Sequence, residues 1–398
     1  MMNSACRSLS RQPHRKVDLM DFDFTDEQHA IRETASGIFA GMVTPDRVAE
    51  IEATTDRVDR ELWRALAEAD LLGVGTPEVL GGIGGGLIEA GLMLEEQGKV
   101  VAPIPLLATL VGGVLPLAKF GPTPLKEKWL PQVVAGNAIL TSAIADVSTS
   151  PRQLPALTAV LQGSEWIVSG TANAVPFAHV ADAILVPVRI EGDGVIVAMI
   201  SKNQSGVTLE RAETTNRAVH PHVHFDSVAV GPADLVAGPD RGVEATAFML
   251  DSAMTALALT QIGVCEAALA QTAAHLNERE QFGRPLSTFQ GTMLRAADAA
   301  IDLEAIRVTA WQAAWRIDGN LPATESVLVA KCQAADRGQR VVHATQHLHG
   351  GTGADIGYPI HRYFLWGKQI ELELGSPSLQ LSRLGTLIAQ RPDEIMHR

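Results

Sequence analysis

The segment Arg279–Gln290, REQFGRPLSTFQ, joins two long helical patterns. Arg279 ends a run of small apolar residues with helical periodicity, and Gly283 with Pro285 predicts the end of that helix. Ser287 is placed to cap the helix that follows. The segment is therefore predicted to be a joint between two helices, at which polar and aromatic side chains converge.

Phosphate binding is the chemistry that this joint suggests. Arg279 supplies a guanidinium, and Phe289 and Gln290 supply a ring and an amide at the start of the next helix. Arginine binds phosphate through two parallel hydrogen bonds, and the N–H groups at a helix start favour the same anion. The joint therefore predicts a site for a diphosphate-bearing cofactor. The alternative is an ordinary helix–helix turn with a surface arginine.

The composition describes a globular chain with an acidic balance. The 398 residues are 46% hydrophobic, enough for two or three cores, and the formal net charge is −13. This charge argues against nucleic acid or an anionic membrane as the main partner. No uninterrupted apolar run approaches the roughly 20 residues of a membrane span. We expect a cytoplasmic protein without a membrane span.

The first third of the chain reads as helical. Residues 1–19 are basic and lack periodicity, so we expect a disordered extension or a true start at Met20. Thr25 and Gln28 have capping-box spacing, and helical patterns follow in a domain predicted to cover residues 20–137.

The rest of the chain changes periodicity twice. Residues 138–240 alternate with period two in six strand-like runs, which predicts a small barrel or sandwich. The runs cover 156–162, 165–175, 182–190, 195–201, 207–213 and 222–230. Residues 241–398 return to helices in a predicted four-helix bundle. Its helices are expected at about 245–277, 288–317, 322–348 and 368–389. The fold class is thus α+β multidomain, with a helical domain, a β domain and a bundle.

A second candidate binding segment ends the third bundle helix. Gln346 and Gly350 lie one helical turn apart, and Gly350, Gly351 and Gly353 would let a ligand approach the backbone closely. A flat or phosphate-bearing ligand fits this segment. The alternative is a glycine helix cap.

Taken together, these motifs resemble the acyl-CoA dehydrogenase family from about Met20 onward. The similarity includes R-x-x-F-G followed by F-Q, Q-x-x-x-G-G-x-G, the trio Tyr358, Pro359 and Arg362, and LLGVGTPEVLGG early in the chain. The resemblance implies FAD as cofactor, an acyl-CoA substrate, a tetramer, and an electron-transfer flavoprotein as electron acceptor. It also implies residues that reach the FAD of a neighbouring subunit. These are Arg279, Phe282, Gln290, Gln346, Gly350 and Gly351, with Ser376 as a further cofactor-binding residue.

Two flavin-facing segments of the family are altered here. Where members carry a loop resembling TEPGAGSD, residues 143–151 read AIADVSTSP, and their polar side chains are expected to form a solvated loop. Where members carry W-I-[ST]-N, this chain has Asn173–Ala178. The resemblance therefore implies that this chain has lost the contacts to a flavin of its own.

The family's catalytic base is also missing at its expected positions. Members commonly place a glutamate in an E-G-[TS] motif, and the matching residue here is Leu374. The position that some members use on the first bundle helix is Ala253. Glu373 is the fallback base, and Asp251 is a weaker substitute.

These matches and departures together suggest half of a heteromeric enzyme. A sister subunit would supply the base and the flavin-facing β domain, while this chain donates cofactor-binding residues across the interface. Actinobacterial α2β2 acyl-CoA dehydrogenases that act on steroid side chains resemble this arrangement. Two alternatives are a self-sufficient homotetramer that uses Glu373 as its base and a structural subunit without flavin.

A metalloenzyme is a further alternative. His220, His222 and His224 alternate along a predicted strand, and His343 and His347 lie one helical turn apart, which are both metal-ligand spacings. Lone histidines are more often satisfied polar groups than ligands. The sequence predicts no metal site.

Overall fold

A computed structural model describes residues 23–149 and 154–390. Within these residues the chain runs from helices through a β-sheet to a second set of helices, as the sequence predicts. The predicted extension, residues 1–19, lies outside the described residues.

Helices make up the N-terminal part. Their bounds are α1 Asp26–Met42, α2 Pro45–Glu52, α3 Arg60–Glu68, α4 Leu87–Val100, α5 Leu115–Phe120 and α6 Thr123–Val134. Thr25 caps α1, and Gln28 completes the predicted capping box. The π-helical segment Leu107–Val114 runs directly into α5. π-Helical turns are uncommon and often lie at functional sites.

Eight strands form the central sheet. They are β1 Leu140–Ser142, β2 Thr158–Gln162, β3 Glu165–Ala172, β4 Ala183–Arg189, β5 Val195–Ser201, β6 Val207–Glu210, β7 His222–Val230 and β8 Leu235–Ala237, and a short helix, α7 Ala145–Thr149, follows β1. The strand order is β6-β7-β3-β2-β4-β5-β8, with β1 parallel to β4.

The two halves of the sheet enclose one core. β2 and β4 are joined by the single pair Thr158 and Arg189, so the sheet changes direction there. Buried side chains from both halves, such as Val168 and Ile196, belong to the same apolar cluster. The six predicted runs correspond to β2–β7. β1 and β8 were not predicted because strands of three residues are too short to show alternation.

The last part of the chain contains five helices. They are α8 Gly242–Glu278, α9 Gln290–Asp318, α10 Thr324–Leu348, α11 Ile360–Leu372 and α12 Pro377–Gln390. The helix predicted at 368–389 is therefore two helices. The break falls where Leu374 and Gly375 adopt positive φ angles of 55° and 107°, which an α-helix cannot accommodate.

The long helix α8 lies at the centre of the molecule and is buried along much of its length. It is the one helix of the described residues that is long and apolar enough to cross a membrane, and 78% of its most apolar window is buried inside the protein. It contacts α4 closely through glycines. A Cβ atom on Gly263 would lie 1.9 Å from the carbonyl oxygen of Glu95, and one on Gly98 would lie 2.4 Å from that of Thr260.

We predict that Gly263→Ala lowers the free energy of unfolding by about 1–3 kcal/mol, because the added methyl forces α4 and α8 apart. Gly37→Ala in α1 is the matched control, since a Cβ there meets nothing within 4 Å. The control should gain roughly 0.5–1 kcal/mol from helix propensity. Denaturant unfolding measures both. Equal effects of the two substitutions would contradict the backbone contact.

Candidate active site and cofactor-binding surface

The joint after α8 is a two-residue hairpin loop. Arg279 is the C-terminal cap of α8, and the two-residue strands β9 Glu280–Gln281 and β10 Arg284–Pro285 pair with each other. Phe282 and Gly283 form the loop with φ angles of 55° and 79°, as tight hairpins require. Phe282 is 94% exposed. The ring is thus held in solvent on a backbone conformation that is uncommon for residues other than glycine.

The cap of the following helix differs from the prediction. Phe289 occupies the N-cap position of α9 and makes no side-chain capping bond, whereas Ser287 lies within the 3-10 turn Leu286–Thr288. The prediction of Ser287 as the cap was wrong. The hydroxyl of Thr292 instead donates to the carbonyl oxygens of the turn. Because the hairpin and the 3-10 turn precede α9, the helix begins at Gln290. Its N-cap residue is therefore Phe289, two residues after the predicted Ser287.

The predicted phosphate-binding side chains surround this hairpin and face solvent. Arg279 and Gln290 are exposed. The rings of Phe282 and Phe289 meet edge to face at 6.2 Å between centroids, and the guanidinium of Arg284 lies 4.1 Å from the centre of the Phe289 ring. We call Arg279, Phe282 and Gln290 with the glycine turn Gly350–Gly353 the cradle.

The glycine turn is tied to the end of α8. The Nε2 atom of His349 lies 3.1 Å from the Thr272 hydroxyl, and the His349 ring lies 4.3 Å from that of His275. Burial, together with the nearby His275, lowers the pKa of His349 to about 4, so this residue is neutral at physiological pH. These contacts place the turn beside the helix end that carries Arg279.

Gly350 and Gly351 leave the turn open to a ligand. Both are exposed, and a Cβ on either would meet nothing within 4 Å. Gln346 is half-buried, and its amide donates to the carbonyl oxygen of Gly353 at 3.0 Å. This hydrogen bond holds the turn, and the contact of Gln346 with a cofactor stays a prediction. Its neighbour His347 is exposed at the same helix end, although its spacing from His343 suggested only a metal ligand.

A cavity of about 230 Å³ separates the helices from the sheet and contains both predicted base positions. Ala253 on α8 and Leu374 in the break after α11 both line it, and neither side chain can accept a proton. The π-helical segment and the end of β1 form other parts of the wall. Ser376 lies in the same break, where its hydroxyl lies 3.0 Å from that of Ser378.

Three polar side chains, Gln369, Glu373 and His220, line this cavity and an adjoining one of about 90 Å³. The Gln369 amide donates to the Glu373 carboxylate at 2.9 Å. Burial lowers the pKa of His220, although the negative charge of Glu373 opposes this effect. The fallback carboxylate is therefore inside the cavity, close to a neutral histidine.

Asp251 does not fit its predicted role as a substitute base. Its carboxylate accepts a hydrogen bond of 3.0 Å from the Thr324 hydroxyl at the start of α10, and it lies outside the cavity wall. Burial raises its pKa to about 6, and the Thr324 hydrogen bond opposes the rise. Asp251 lies two residues before Ala253, and because an α-helix rotates by about 100° per residue, the two side chains point to nearly opposite sides of α8.

The two altered flavin-facing segments bind each other. Asp146 on α7 accepts hydrogen bonds from the backbone nitrogen and the side-chain amide of Asn173, at 2.9 and 2.8 Å. Ser148 is fully buried, its hydroxyl donates to Ala145, and Arg383 donates to its carbonyl oxygen. The expectation of a solvated loop is therefore wrong for Ser148. Residues 150 and 151 of that loop lie outside the described residues.

The histidine pairs have other partners. His224 lies 3.0 Å from the Thr171 hydroxyl and 3.3 Å from Glu210, and the backbone of Ala174 donates to His222. The His343 ring packs edge to face on Phe364. Across residues 23–149 and 154–390, no group of three His, Cys, Asp or Glu side chains could hold a metal ion.

The chain runs from helices through a sheet to a second set of helices, with a cavity between helices and sheet and exposed side chains at the end of α8. Two family descriptions match the sequence, "Acyl-CoA dehydrogenase, N-terminal domain" over residues 25–137 and "Acyl-CoA dehydrogenase, C-terminal domain" over residues 240–387. The chain belongs to the acyl-CoA dehydrogenase family, whose members use FAD.

Relatives include proteins from heteromeric complexes. Acyl-CoA dehydrogenase FadE27 of Mycobacterium tuberculosis is 35% identical, over 94% of this chain and 100% of its own length. A structure described as a variant of the Tcur3481-Tcur3483 steroid ACAD is 43% identical, with a TM-score of 0.85 over 92% of this chain and 98% of the other. The ChsE4-ChsE5 complex from Mycobacterium tuberculosis is 34% identical, with a TM-score of 0.87 over 93% and 99%.

Asp251→Asn should stabilise the protein in a pH-dependent way. The pKa of Asp251 is about 6 in the folded protein, compared with an ordinary value of 3.8. The stability that protonated Asp251 contributes below pH 3.8 is therefore lost as the pH rises through 6. The variant avoids this loss and keeps an acceptor for Thr324. Its advantage should grow between pH 4 and 7 and level off at roughly 2–3 kcal/mol. Denaturant unfolding at several pH values measures it, with exposed Asp298→Asn as control. A pH-independent difference would contradict the prediction.

Proposed function

We propose that the chain is one subunit of a heteromeric FAD-dependent acyl-CoA dehydrogenase. The enzyme would introduce an α,β double bond into an acyl-CoA thioester. FAD supplies the acceptor for the hydride that leaves the β carbon, and a carboxylate removes the α proton. In this proposal the partner subunit supplies the carboxylate, and this chain supplies cofactor-binding groups.

One observation carries the proposal: the predicted cofactor-binding side chains of the cradle are exposed, while neither expected base position carries a carboxylate. Ala253 and Leu374 present only hydrocarbon to the cavity. Arg279, Phe282 and Gln290 meanwhile are exposed to solvent. A second chain that carries its own base would use this surface.

The geometry of α8 separates the cavity from the cradle. Ala253 and Arg279 are 26 residues apart on, or at the end of, one continuous helix. At 1.5 Å per residue the separation is roughly 39 Å. A single cofactor bound in the cavity would not reach the cradle of the same chain. The cradle therefore suits the cofactor of another subunit.

The cradle fits FAD better than the cavity of this chain does. Arg279 offers a planar fork for a diphosphate, and the bare glycines of the turn permit close approach of a ribose or phosphate. On the other side, the backbone nitrogen and the side-chain amide of Asn173 both donate to Asp146, so these two groups are engaged within the chain. The chain would thus hold the cofactor's diphosphate end and leave its reactive ring to the partner.

An apolar stripe on α9 supports association with a homologous subunit. Its side chains are exposed and recur every seven residues along the helix: Leu294, Ile301, Val308 and Trp315. Such a heptad stripe is typical of helices that pack against another helix in a supercoil. A heterotetramer would bury it.

The substrate and electron acceptor follow by similarity alone. The structure named a steroid ACAD is 43% identical to this chain, which favours a bulky acyl group such as a steroid side chain. The proposed acceptor is an electron-transfer flavoprotein, in the cytoplasm, as part of lipid degradation.

Arg279→Ala in this chain, with a wild-type partner, should weaken FAD binding by the complex about ten- to hundredfold. The reason is the loss of a charged hydrogen-bonding partner of the diphosphate. Arg279→Lys should recover part of the affinity, because a point charge replaces the fork. Arg64→Ala, an exposed arginine on α3, is the control. Flavin absorbance after gel filtration measures occupancy. Unchanged FAD affinity would refute the donated cradle and favour a structural subunit without flavin.

A self-sufficient homotetramer is the second candidate, because Glu373 does line the cavity. Glu373→Gln separates the candidates, since glutamine keeps the shape and removes the basic oxygen. If the partner supplies the base, the complex should keep its turnover number within about threefold. A loss of a hundredfold or more would identify Glu373 as a base. Glu371→Gln, in the last turn of α11, is the matched control.

A further inference from the structure

Lys331 is a fully buried lysine on α10 without a carboxylate partner. Its ammonium nitrogen lies 2.9 Å from the carbonyl oxygen of Ile370 and 3.0 Å from that of Gly375. A third carbonyl, that of Glu371, lies at 3.3 Å. Among the described residues, no carboxylate lies within ion-pair distance of this nitrogen. All of its hydrogen bonds therefore go to the backbone at the end of α11.

The backbone carbonyl groups in the break between α11 and α12 need hydrogen-bond donors from outside the helix. The last carbonyl groups of a helix have no partner within the helix, and in a buried place each unpaired group costs free energy. Leu374 and Gly375 are also held at positive φ. The amide of buried Gln380 donates to their carbonyl oxygens at 2.8 and 3.3 Å. Two buried side chains from neighbouring helices thus hold the break closed.

An ammonium in this place carries a cost that an apolar side chain would avoid. Burial lowers the pKa of Lys331 to about 8, while Glu373, Glu371 and Cys332 act to raise it. A methionine would fill similar space without that cost. The partial negative charge at the end of a helix favours a cation, and three convergent carbonyl groups match the three donors of an ammonium. Lys331 is therefore suited to fixing the break and not to filling space.

We propose that Lys331 is a positioning residue of the cavity: it fixes the break after α11 so that residues 373 and 374 face Ala253. The geometry of the expected base position then depends on the hydrogen bonds that Lys331 donates from α10. It does not depend on which side chain occupies that position. This inference concerns the shape of the cavity wall, so it holds for either candidate function, and its failure would leave the assignment of the cradle untouched.

A thiol introduced by Leu374→Cys reports where the side chain at this position points. The full-length chain would also carry Cys6→Ser and Cys332→Ala, so that the remaining native thiol is the fully buried Cys265. A thiol in place of the buried Leu374 side chain should react slowly with a charged methanethiosulfonate reagent, because the side chain at this position is only 8% exposed. Adding Lys331→Met should raise the labelling rate of the introduced thiol at least tenfold.

Lys368→Met is the matched control. It removes a lysine of α11 that pairs with Glu371 and makes no contact with the break carbonyls. Its effect on labelling should stay below twofold. Equal labelling rates with and without Lys331→Met, or an equal rise in the control, would overturn the positioning role.

Hydrogen exchange of the wild-type chain provides a second readout. It does not depend on whether the Lys331→Met variant folds. Above pH 8 Lys331 loses a proton and can satisfy only two of its three carbonyl partners. Exchange in residues 370–380, corrected for the intrinsic effect of pH, should then rise at least threefold more than in residues 242–278 between pH 7 and 9.5. Parallel behaviour of the two segments would contradict the proposal.

Discussion

The contact between α4 and α8 constrains the rest of the molecule. With hydrogen in place of a methyl at Gly98 and Gly263, the two helices approach until their backbones touch. This contact holds the N-terminal helices against the C-terminal ones and fixes α8 in the middle. The sheet packs beside it, since a Cβ on Gly242, the first residue of α8, would lie 1.8 Å from the carbonyl oxygen of Val195 in β5.

Because α8 is one unbroken helix, its position determines that of both functional regions. Ala253 faces the cavity, and Arg279 ends the helix at the cradle, roughly 39 Å away along the axis. The two regions therefore serve different molecules of cofactor in the proposed assembly. A chain can lose its base and its flavin contacts near Ala253 and still keep an intact cradle, because the changes lie at separate ends of a rigid element.

The sequence patterns correctly predicted those features of the fold that depend on residues close together in the chain. The capping box at Thr25, the period-two strands and the end of α8 before Gly283 depend on neighbouring residues, and the structure contains all three. The break within the helix predicted at 368–389 depends on hydrogen bonds from Lys331 on α10 and from Gln380 on α12. Such contacts between distant residues leave no periodic signal in the sequence.

In the candidate site, too, the sequence predicted some positions but not the directions of individual side chains. Leu374, Ala253 and Glu373 do line one cavity, as their motif positions suggested. The direction in which Asp251 points, and the burial of Ser148 beneath Arg383, depend on tertiary packing. The roles of the cradle residues toward FAD remain predictions, because they concern a surface between chains.

The number of FAD molecules per chain tests the central claim most directly. The chain would be produced alone and together with its partner subunit, and flavin absorbance would be compared with chain mass after gel filtration. The account predicts no bound FAD on the chain alone and half as many FAD molecules as chains in the complex. One FAD for every chain, in either preparation, would contradict it.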